Sequence, residues 1–193
     1  MPSRSSDPFG QCLDAAAGRI VEAVRVLDAV APVVVIDGRS GAGKSTLARR
    51  VAEDWPLARP VQLLALDSIY PGWDGLAAGA RLAFENVLLP HSRGDVGSWR
   101  RWDWERDSEA ERHVVAPAQG LILEGCGALT RDSAGVIDVG IWVDGPAEGR
   151  KHRALERDGD GYRPHWDRWA AQEEVHIRAH DPRSLASIVV TVP

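Results

Sequence analysis

An eight-residue segment has the residue types and the spacing of a loop that binds phosphate. Residues 38–45 read Gly-Arg-Ser-Gly-Ala-Gly-Lys-Ser, which matches the pattern G-x-x-x-x-G-K-S. The apolar run 33–36 precedes the segment, and a helical pattern over 46–52 follows it. This strand, loop and helix context disfavours the alternative of a glycine-rich turn that binds nothing. We therefore expect a nucleoside triphosphate and Mg²⁺ as ligands.

The chemistry of phosphate binding explains the residue types in this segment. Glycines let the backbone wrap an anion without a Cβ in the way. The N-terminus of the following helix points its N–H groups and the positive end of its dipole at the phosphates. Lys44 can reach the β- and γ-phosphates, and the Ser45 hydroxyl can ligate Mg²⁺. The residues expected to bind the nucleotide are Gly38, Arg39, Ser40, Gly41, Ala42, Gly43, Lys44, Ser45 and Thr46.

Two carboxylates follow predicted strands. Asp67 comes directly after the apolar run 61–66, and Glu124 closes the run Leu-Ile-Leu at 121–123. Ligands of open parallel sheets bind at the carboxyl ends of the strands. We therefore expect Asp67 to accept a proton from a substrate hydroxyl, and Glu124 to hold Mg²⁺ directly or through water. The alternatives are an Asp that caps a loop or helix and a Glu that is exposed at a sheet edge.

Three arginines lie on one face of a predicted helix. Arg150, Arg153 and Arg157 have the spacing i, i+3, i+7. Such a face could close over the triphosphate, as a lid formed by about residues 146–163, and stabilise charge in the transition state. The same spacing fits a solvated basic face that pairs with glutamates of the same helix.

The segment 100–107 combines aromatic rings with hydrogen-bonding groups, since it reads Arg-Arg-Trp-Asp-Trp-Glu-Arg-Asp. It could hold a phosphate acceptor by stacking and by contacts with Asp or Arg. The alternative is a hairpin whose tryptophans pack inward and whose charges pair outward. The chain has eight Trp but only two Tyr and two Phe. We expect most of the Trp to pack in the core or at its rim, and a few to line a pocket for a flat or apolar substrate.

The composition indicates a single globular domain. The chain has 193 residues, of which 44% are hydrophobic and 26% charged, and its net charge of −5 implies no general affinity for nucleic acid or anionic membranes. No apolar run approaches transmembrane length, and residues 1–10 are expected to form a flexible tail. Cys12 and Cys126 have no metal-binding spacing, so we expect free thiols and a cytoplasmic protein.

Apolar patterning predicts strands that alternate with helices. The predicted strands are 32–37, 61–66, 98–105, 112–115, 120–124, 139–143 and 187–192. The predicted helices are 13–29, 44–54, 76–89, 146–157 and 166–180. This alternation predicts an α/β fold of three layers, with a mainly parallel sheet that has helices on both faces.

Five motifs, taken in order, resemble those of the uridine kinase family, in the group that includes phosphoribulokinase and bacterial pantothenate kinase. Residues 38–45 resemble the phosphate loop of the family, 66–70 its Asp-Ser-Phe-Tyr segment and 101–104 its Tyr-Asp-Phe segment. Residues 117–125 resemble its Pro-Ala-x-x-x-Ile-x-Glu-Gly stretch, and 150–158 repeat the arginine spacing of its lid helix. The resemblance implies the P-loop NTPase fold with a small lid, ATP as phosphate donor, Mg²⁺ as cofactor, and a small-molecule hydroxyl as acceptor.

The resemblance also implies roles for individual residues. Asp67 would be the catalytic base, with Lys44, Arg153 and Arg157 as further catalytic residues. Arg150 would contact the phosphates, and Ser45 and Glu124 would organise Mg²⁺. The residues expected to bind the acceptor are Asp67, Tyr70, Arg101, Trp102 and Asp103.

The departures from the family lie on the acceptor side. Asp107 stands where the family has a His that contacts substrate, Trp102 replaces a Tyr, and residues 71–75 read Pro-Gly-Trp-Asp-Gly. The sequence therefore favours kinase chemistry over uridine as the particular substrate. A second hypothesis is a nucleotide-dependent switch or regulatory module without a small-molecule acceptor. The sequence has no Asn-Lys-x-Asp motif for guanine recognition, which argues against a GTPase.

Overall fold

The computed structural model describes residues 7–193. Its strands are β1 (Val33–Gly38), β2 (Val61–Ala65), β3 (Gly97–Asp103), β4 (Ser108–Val115), β5 (Gly120–Glu124), β6 (Val139–Asp144) and β7 (Ile188–Thr191). Its α-helices are α1 (Pro8–Arg25), α2 (Lys44–Glu53), α3 (Leu76–Ala83), α4 (Leu89–Ser92), α5 (Ala147–Tyr162), α6 (Trp166–His180) and α7 (Pro182–Leu185). Short 3₁₀ turns occupy Leu66–Ser68, Ser133–Gly135 and Arg163–His165.

Five strands form one parallel sheet in the order β2-β5-β1-β6-β7. The central strand β1 is buried along its whole length. The register pairs Ile36 of β1 with Glu124 of β5, and Glu124 with Ala65 of β2. The carboxyl ends of these three strands therefore meet at one edge of the sheet, where the loop after β1 and Asp67 after β2 also lie.

Helices cover both faces of the sheet. Val34 and Ile36 of β1 pack in a core with α1 and α2, whereas Val33 and Val35 pack on the other face with α3 and α6. Side chains that alternate along a strand point to opposite faces, so a run of apolar residues such as 33–36 is what a strand buried on both faces requires. This architecture confirms the predicted α/β fold with a parallel sheet between two helical layers.

The first helix begins earlier than predicted. α1 starts at Pro8 rather than at residue 13, because the Asp7 carboxylate accepts a hydrogen bond of 2.8 Å from the Gly10 N–H and Pro8 occupies the first turn. The tail predicted for 1–10 is therefore too long at its C-terminal end. Its first six residues lie outside the described part of the chain.

The segment between β2 and β5 contains a helical stretch and a hairpin. The helix predicted at 76–89 is interrupted by a π-helical turn at Phe84–Leu88, which separates α3 from α4. β3 and β4 form the expected antiparallel pair, with an irregularity between Arg100 and Trp102. β3 ends at Asp103, so Trp104 lies in the turn and not on the strand.

The region predicted as a lid, about 146–163, is mostly α5, which has two helical parts joined by a kink. Gly159 breaks the helical geometry near its end, with φ 59° and ψ −142°, a conformation that is open only to glycine. None of the helices within residues 7–193 is both long and apolar enough to cross a membrane.

Candidate functional site

The loop between β1 and α2 is held in a conformation that requires glycine. Gly41 has a φ of +75°, and a Cβ at this position would lie 2.0 Å from the Arg150 carbonyl oxygen. α2 begins at Lys44 after Gly43, and no side chain among the described residues caps its N-terminus. The first N–H groups of the helix therefore point into the loop, an arrangement that suits an anion.

Lys44 is buried at the base of this loop. Its Nζ donates hydrogen bonds to the Arg39 carbonyl oxygen at 3.1 Å and to Cys126 Sγ at 3.3 Å. Burial alone would lower the pKa of the Lys44 ammonium, but Cys126, Glu124, Glu173 and Asp67 around it hold this pKa above its ordinary value. The ammonium therefore stays charged at any physiological pH, as a group that neutralises phosphate must.

Cys126 lies beside Lys44 but is not a nucleophile. Burial raises the pKa of its thiol to about 12, even though the Lys44 ammonium acts in the opposite direction. The thiol donates a hydrogen bond of 3.3 Å to Glu173 Oε1. Because reactive cysteines need an accessible thiolate, Cys126 packs and hydrogen-bonds here without taking part in chemistry.

Glu124 and Ser45 form the oxygen pair that could hold a metal ion. Burial raises the pKa of the Glu124 carboxyl, and nearby Asp67 adds to this effect, whereas Lys44 and a hydrogen bond with Ser45 lower it. Within residues 7–193, no cluster of three His, Cys, Asp or Glu residues could enclose a metal. One hydroxyl and one carboxylate fit Mg²⁺ that takes its other ligands from water and nucleotide phosphates.

A cavity of about 650 Å³ joins these groups. Ten of the residues predicted to act line it: Ser40, Gly41, Gly43, Lys44, Ser45, Thr46, Asp67, Tyr70, Glu124 and Arg157. Asp67 and Glu124 line the cavity together with the phosphate loop, as strand-end positions predict. Gly38, Arg39 and Ala42 belong to the loop but do not line the cavity.

Arg150 and Arg153 do not face the cavity, in contrast to the prediction of a shared arginine face. Arg150 is buried and donates from Nε to the Gly145 carbonyl at 3.0 Å and from Nη1 to the Ser40 carbonyl at 3.2 Å. Arg153 donates from Nε to the Gly41 carbonyl at 2.9 Å. The first turns of α5 pack against the side of the loop that does not face the cavity. Both arginines therefore stabilise the loop by donating hydrogen bonds to its carbonyl groups, without lining the cavity.

Arg157 is the arginine of α5 that lines the cavity. It forms two hydrogen bonds of 2.7 Å with the carboxylate of its neighbour Asp158, which raises the pKa of the guanidinium. Asp67 and Glu124 act on it in the same direction. Its side chain is 56% exposed, so it lies at the rim of the cavity and not in its floor.

The residues of β3 that were predicted to bind the acceptor lie elsewhere. Arg101 pairs with Glu111 across the hairpin, and Asp103 accepts hydrogen bonds from the backbone N–H groups of the following turn. Trp102 lies beneath the hairpin, against a separate depression beside α3. Trp104 lines the cavity instead, and its Nε1 donates a 2.8 Å hydrogen bond to the Asp67 carbonyl oxygen.

An aromatic wall lines part of the cavity and consists of Tyr70, Trp73, Trp104, Tyr162 and Trp169. It touches the phosphate loop, because the Tyr162 hydroxyl donates a hydrogen bond of 2.9 Å to Ser40 Oγ. The abundance of Trp in the sequence indicated that some would line a pocket. Tyr70 was predicted to bind the acceptor, and Trp104 lies in the segment 100–107 whose rings could stack on it. Trp73, Tyr162 and Trp169 come from distant segments, and no local spacing connects them with the loop.

Helix α6 supplies two buried anchors that the sequence did not reveal. The Glu173 carboxylate accepts a 2.7 Å hydrogen bond from the Ser40 N–H of the phosphate loop. One turn later, His176 Nε2 donates at 2.9 Å to Asp37, whose carboxylate also accepts from the backbone N–H groups of Gly38, Gly127 and Leu129. These contacts fix the start of the phosphate loop against α6.

The parallel five-stranded sheet, with the phosphate loop between its central strand and α2, defines the P-loop NTPase class of fold. The chain is similar to the solved structure of a possible uridine kinase from Bacillus stearothermophilus, with a TM-score of 0.67 and 15% identity over 93% of this chain and 97% of that one. It is also similar to the YGR205w protein, with a TM-score of 0.52 and 11% identity over 97% of this chain and 94% of that one. No family model and no curated protein matches the chain. At these identities the similarity shows the fold alone.

Proposed function

We propose that this protein is an ATP-dependent small-molecule kinase that transfers the γ-phosphate to a hydroxyl group of a nucleoside-like or other small metabolite. One observation carries the proposal: the phosphate loop, the aromatic wall and the Asp67 carboxylate line a single cavity of about 650 Å³. The free thiols of Cys12 and Cys126 and the use of ATP fit the cytoplasm.

Each group of the cavity has a role in this transfer. The N–H groups at the start of α2 and the Lys44 ammonium bind the triphosphate. Asp67 accepts the proton of the acceptor hydroxyl as its oxygen forms a bond to the γ-phosphorus and the bond from that phosphorus to ADP breaks. Ser45 and Glu124 would hold Mg²⁺, which when bound neutralises charge on the phosphates. Arg157 stabilises the charge that develops on the transferred group.

The substitution Asp67→Asn tests this assignment. We expect turnover to fall by about 10²–10⁴-fold, the usual contribution of a positioned base, because an amide cannot accept the hydroxyl proton. ATP affinity should stay within a few-fold of wild type, since the loop is unchanged. The matched control is Asp95→Asn, an exposed aspartate outside the cavity. Full transfer to an identified acceptor by Asp67→Asn would remove Asp67 from the mechanism.

A screen of ATP consumption against nucleosides, sugars, vitamins and hydroxylated antibiotics tests the reaction itself. A kinase consumes ATP faster when its acceptor is present, and the phosphorylated product is detected by mass spectrometry. A switch protein would bind ATP and hydrolyse it slowly, with no acceleration by any alcohol. That second result would reject the proposed reaction.

A further inference from the structure

The part of the cavity lined by aromatic rings, here called the acceptor end, has a fixed lining that meets the phosphate loop at Tyr162. Trp73 is at its centre, with its ring stacked on that of His165 at 4.1 Å between centroids and on that of Tyr162 at 5.5 Å. The Trp104 ring lies 4.9 Å from Trp73, and the Trp169 ring lies 6.4 Å from it edge-on. Because each ring is held by its neighbours, this lining is formed before any ligand enters.

Among the described residues, the cations that line the cavity lie on helices α2 and α5. Lys44 and Arg49 belong to α2, the helix that follows the phosphate loop. Arg157 of α5 is already bound to Asp158 through two hydrogen bonds. None of these cations comes from the segments that supply Trp73, Trp104 and Glu105.

The acceptor end carries negative charge instead. Asp67 lies beside Trp104, which donates its indole N–H to the Asp67 backbone oxygen. Glu105, the next residue along the turn, also lines the cavity, and its carboxylate forms no ion pair within residues 7–193. A carboxylate and electron-rich aromatic faces at one place are the groups that bind an organic cation.

We propose that the acceptor is an alcohol that carries an organic ammonium group. The ammonium lies against Trp73 and Trp104 with Glu105 as its counter-charge, and the hydroxyl lies at Asp67. This inference rests on the proposed kinase function and specifies the chemical class of its acceptor. It excludes acceptors that carry a phosphate or a carboxylate, because Glu105 and Asp67 repel them.

Three benzyl alcohols that differ only in the para group test the inference: 4-(aminomethyl)benzyl alcohol, 4-methylbenzyl alcohol and 4-(hydroxymethyl)benzoate. Their dissociation constants are measured by calorimetry on the full chain loaded with Mg²⁺ and a non-hydrolysable ATP analogue. We expect the cation to bind at least about tenfold more tightly than the neutral alcohol, and the anion to bind most weakly. Equal binding of the cation and the neutral alcohol, preference for the anion, or no binding of any of the three would overturn the inference.

The substitution Glu105→Gln removes the negative charge of residue 105 and keeps the size of its side chain. We expect it to reduce the preference for the cationic over the neutral alcohol to about twofold, while affinity for the ATP analogue stays unchanged. Its matched control is Glu109→Gln on the same hairpin, outside this cavity, which should keep the wild-type preference. If Glu105→Gln keeps the full preference, the carboxylate does not recognise the ammonium.

These outcomes are distinct from failure of the kinase function. If the ATP-consumption screen finds an anionic or neutral acceptor and no cationic one, the protein is a kinase and the inference on acceptor charge is wrong. If no alcohol accelerates ATP consumption, the kinase function itself is wrong.

Discussion

The two ends of the cavity are built in different ways. The phosphate end is a single continuous segment that uses backbone N–H groups, and helices α5 and α6 hold it from outside through Arg150, Arg153 and Glu173. The acceptor end is assembled from side chains of three segments that are far apart in sequence. Changes at the phosphate end therefore disturb packing and nucleotide binding together, whereas the acceptor end meets the loop through the hydrogen bond from the Tyr162 hydroxyl to Ser40 Oγ.

The largest effect is expected from Gly41→Ala at the phosphate end. A Cβ would lie 2.0 Å from the Arg150 carbonyl oxygen, and the φ of +75° disfavours any L side chain. We expect the affinity for ATP to fall by more than about a hundredfold, because the loop must move away from α5. Gly18→Ala in α1, where a Cβ meets nothing within 4 Å, is the control. Calorimetric titration with ATP checks both variants, and near-normal binding by Gly41→Ala would show that the loop adapts.

The substitutions Arg150→Met and Arg157→Met compare an arginine that stabilises the phosphate loop with an arginine that lines the cavity. Loss of the buried Arg150 leaves the Ser40 and Gly145 carbonyls without this donor, so we expect unfolding free energy to fall by about 3 kcal/mol. Loss of the exposed Arg157 should leave stability unchanged and lower turnover about a hundredfold. Urea unfolding and steady-state kinetics measure the two effects. If Arg150→Met lowered only turnover and Arg157→Met lowered only stability, the placement of the two arginines would be wrong.

The substitution Glu124→Gln tests how much the buried carboxylate of Glu124 lowers the folding stability of the nucleotide-free protein. Burial raises the pKa of Glu124 in the folded protein, so the folded state binds this proton more tightly than the unfolded state does. Stability of the free protein is then lost as the pH rises from about 4.5 through the folded pKa. We expect the variant to melt above wild type at pH 7.5 and together with it at pH 4, provided both are folded there. Thermal melts at the two pH values, without nucleotide, check this; a variant that melts lower at pH 7.5 would contradict it.

The smallest effect is expected at the acceptor end, from Trp104→Phe. The ring is kept, but the 2.8 Å hydrogen bond to the Asp67 carbonyl is lost. A hydrogen bond at a partly exposed site contributes about 1 kcal/mol, so we expect turnover to fall about fivefold and ATP affinity to stay constant. Kinetics with the acceptor found in the screen measure this effect. A large loss of ATP affinity would show that the two ends are not independent.

The difference between the phosphate end and the acceptor end also determines how much of the site could be predicted from the sequence. The loop 38–45 is contiguous, and Asp67 and Glu124 directly follow apolar strands, so local patterns place all of them at one sheet edge. The side of α5 that carries Arg150 and Arg153 could not be assigned in this way, because packing against the loop decides it.

Local sequence patterns predict even less of the acceptor end. Trp102 and Trp104 look equivalent in a strand pattern, but the irregularity between Arg100 and Trp102 and the end of β3 at Asp103 separate their environments. Glu173 and His176 lie in a helix that has no sequence signal for contact with Ser40 or Asp37. These roles appear only when distant segments are packed together.

The break at Gly159 has a consequence for local motion. The part of α5 before it is bound to the phosphate loop through Arg150 and Arg153. The part after it carries Tyr162, which stacks on Trp73 and donates a hydrogen bond of 2.9 Å to Ser40 Oγ of the phosphate loop. Local opening at Gly159 would therefore loosen the aromatic wall and one side of the loop together. The amide protons of 160–165 should then exchange with solvent sooner than those of 147–157.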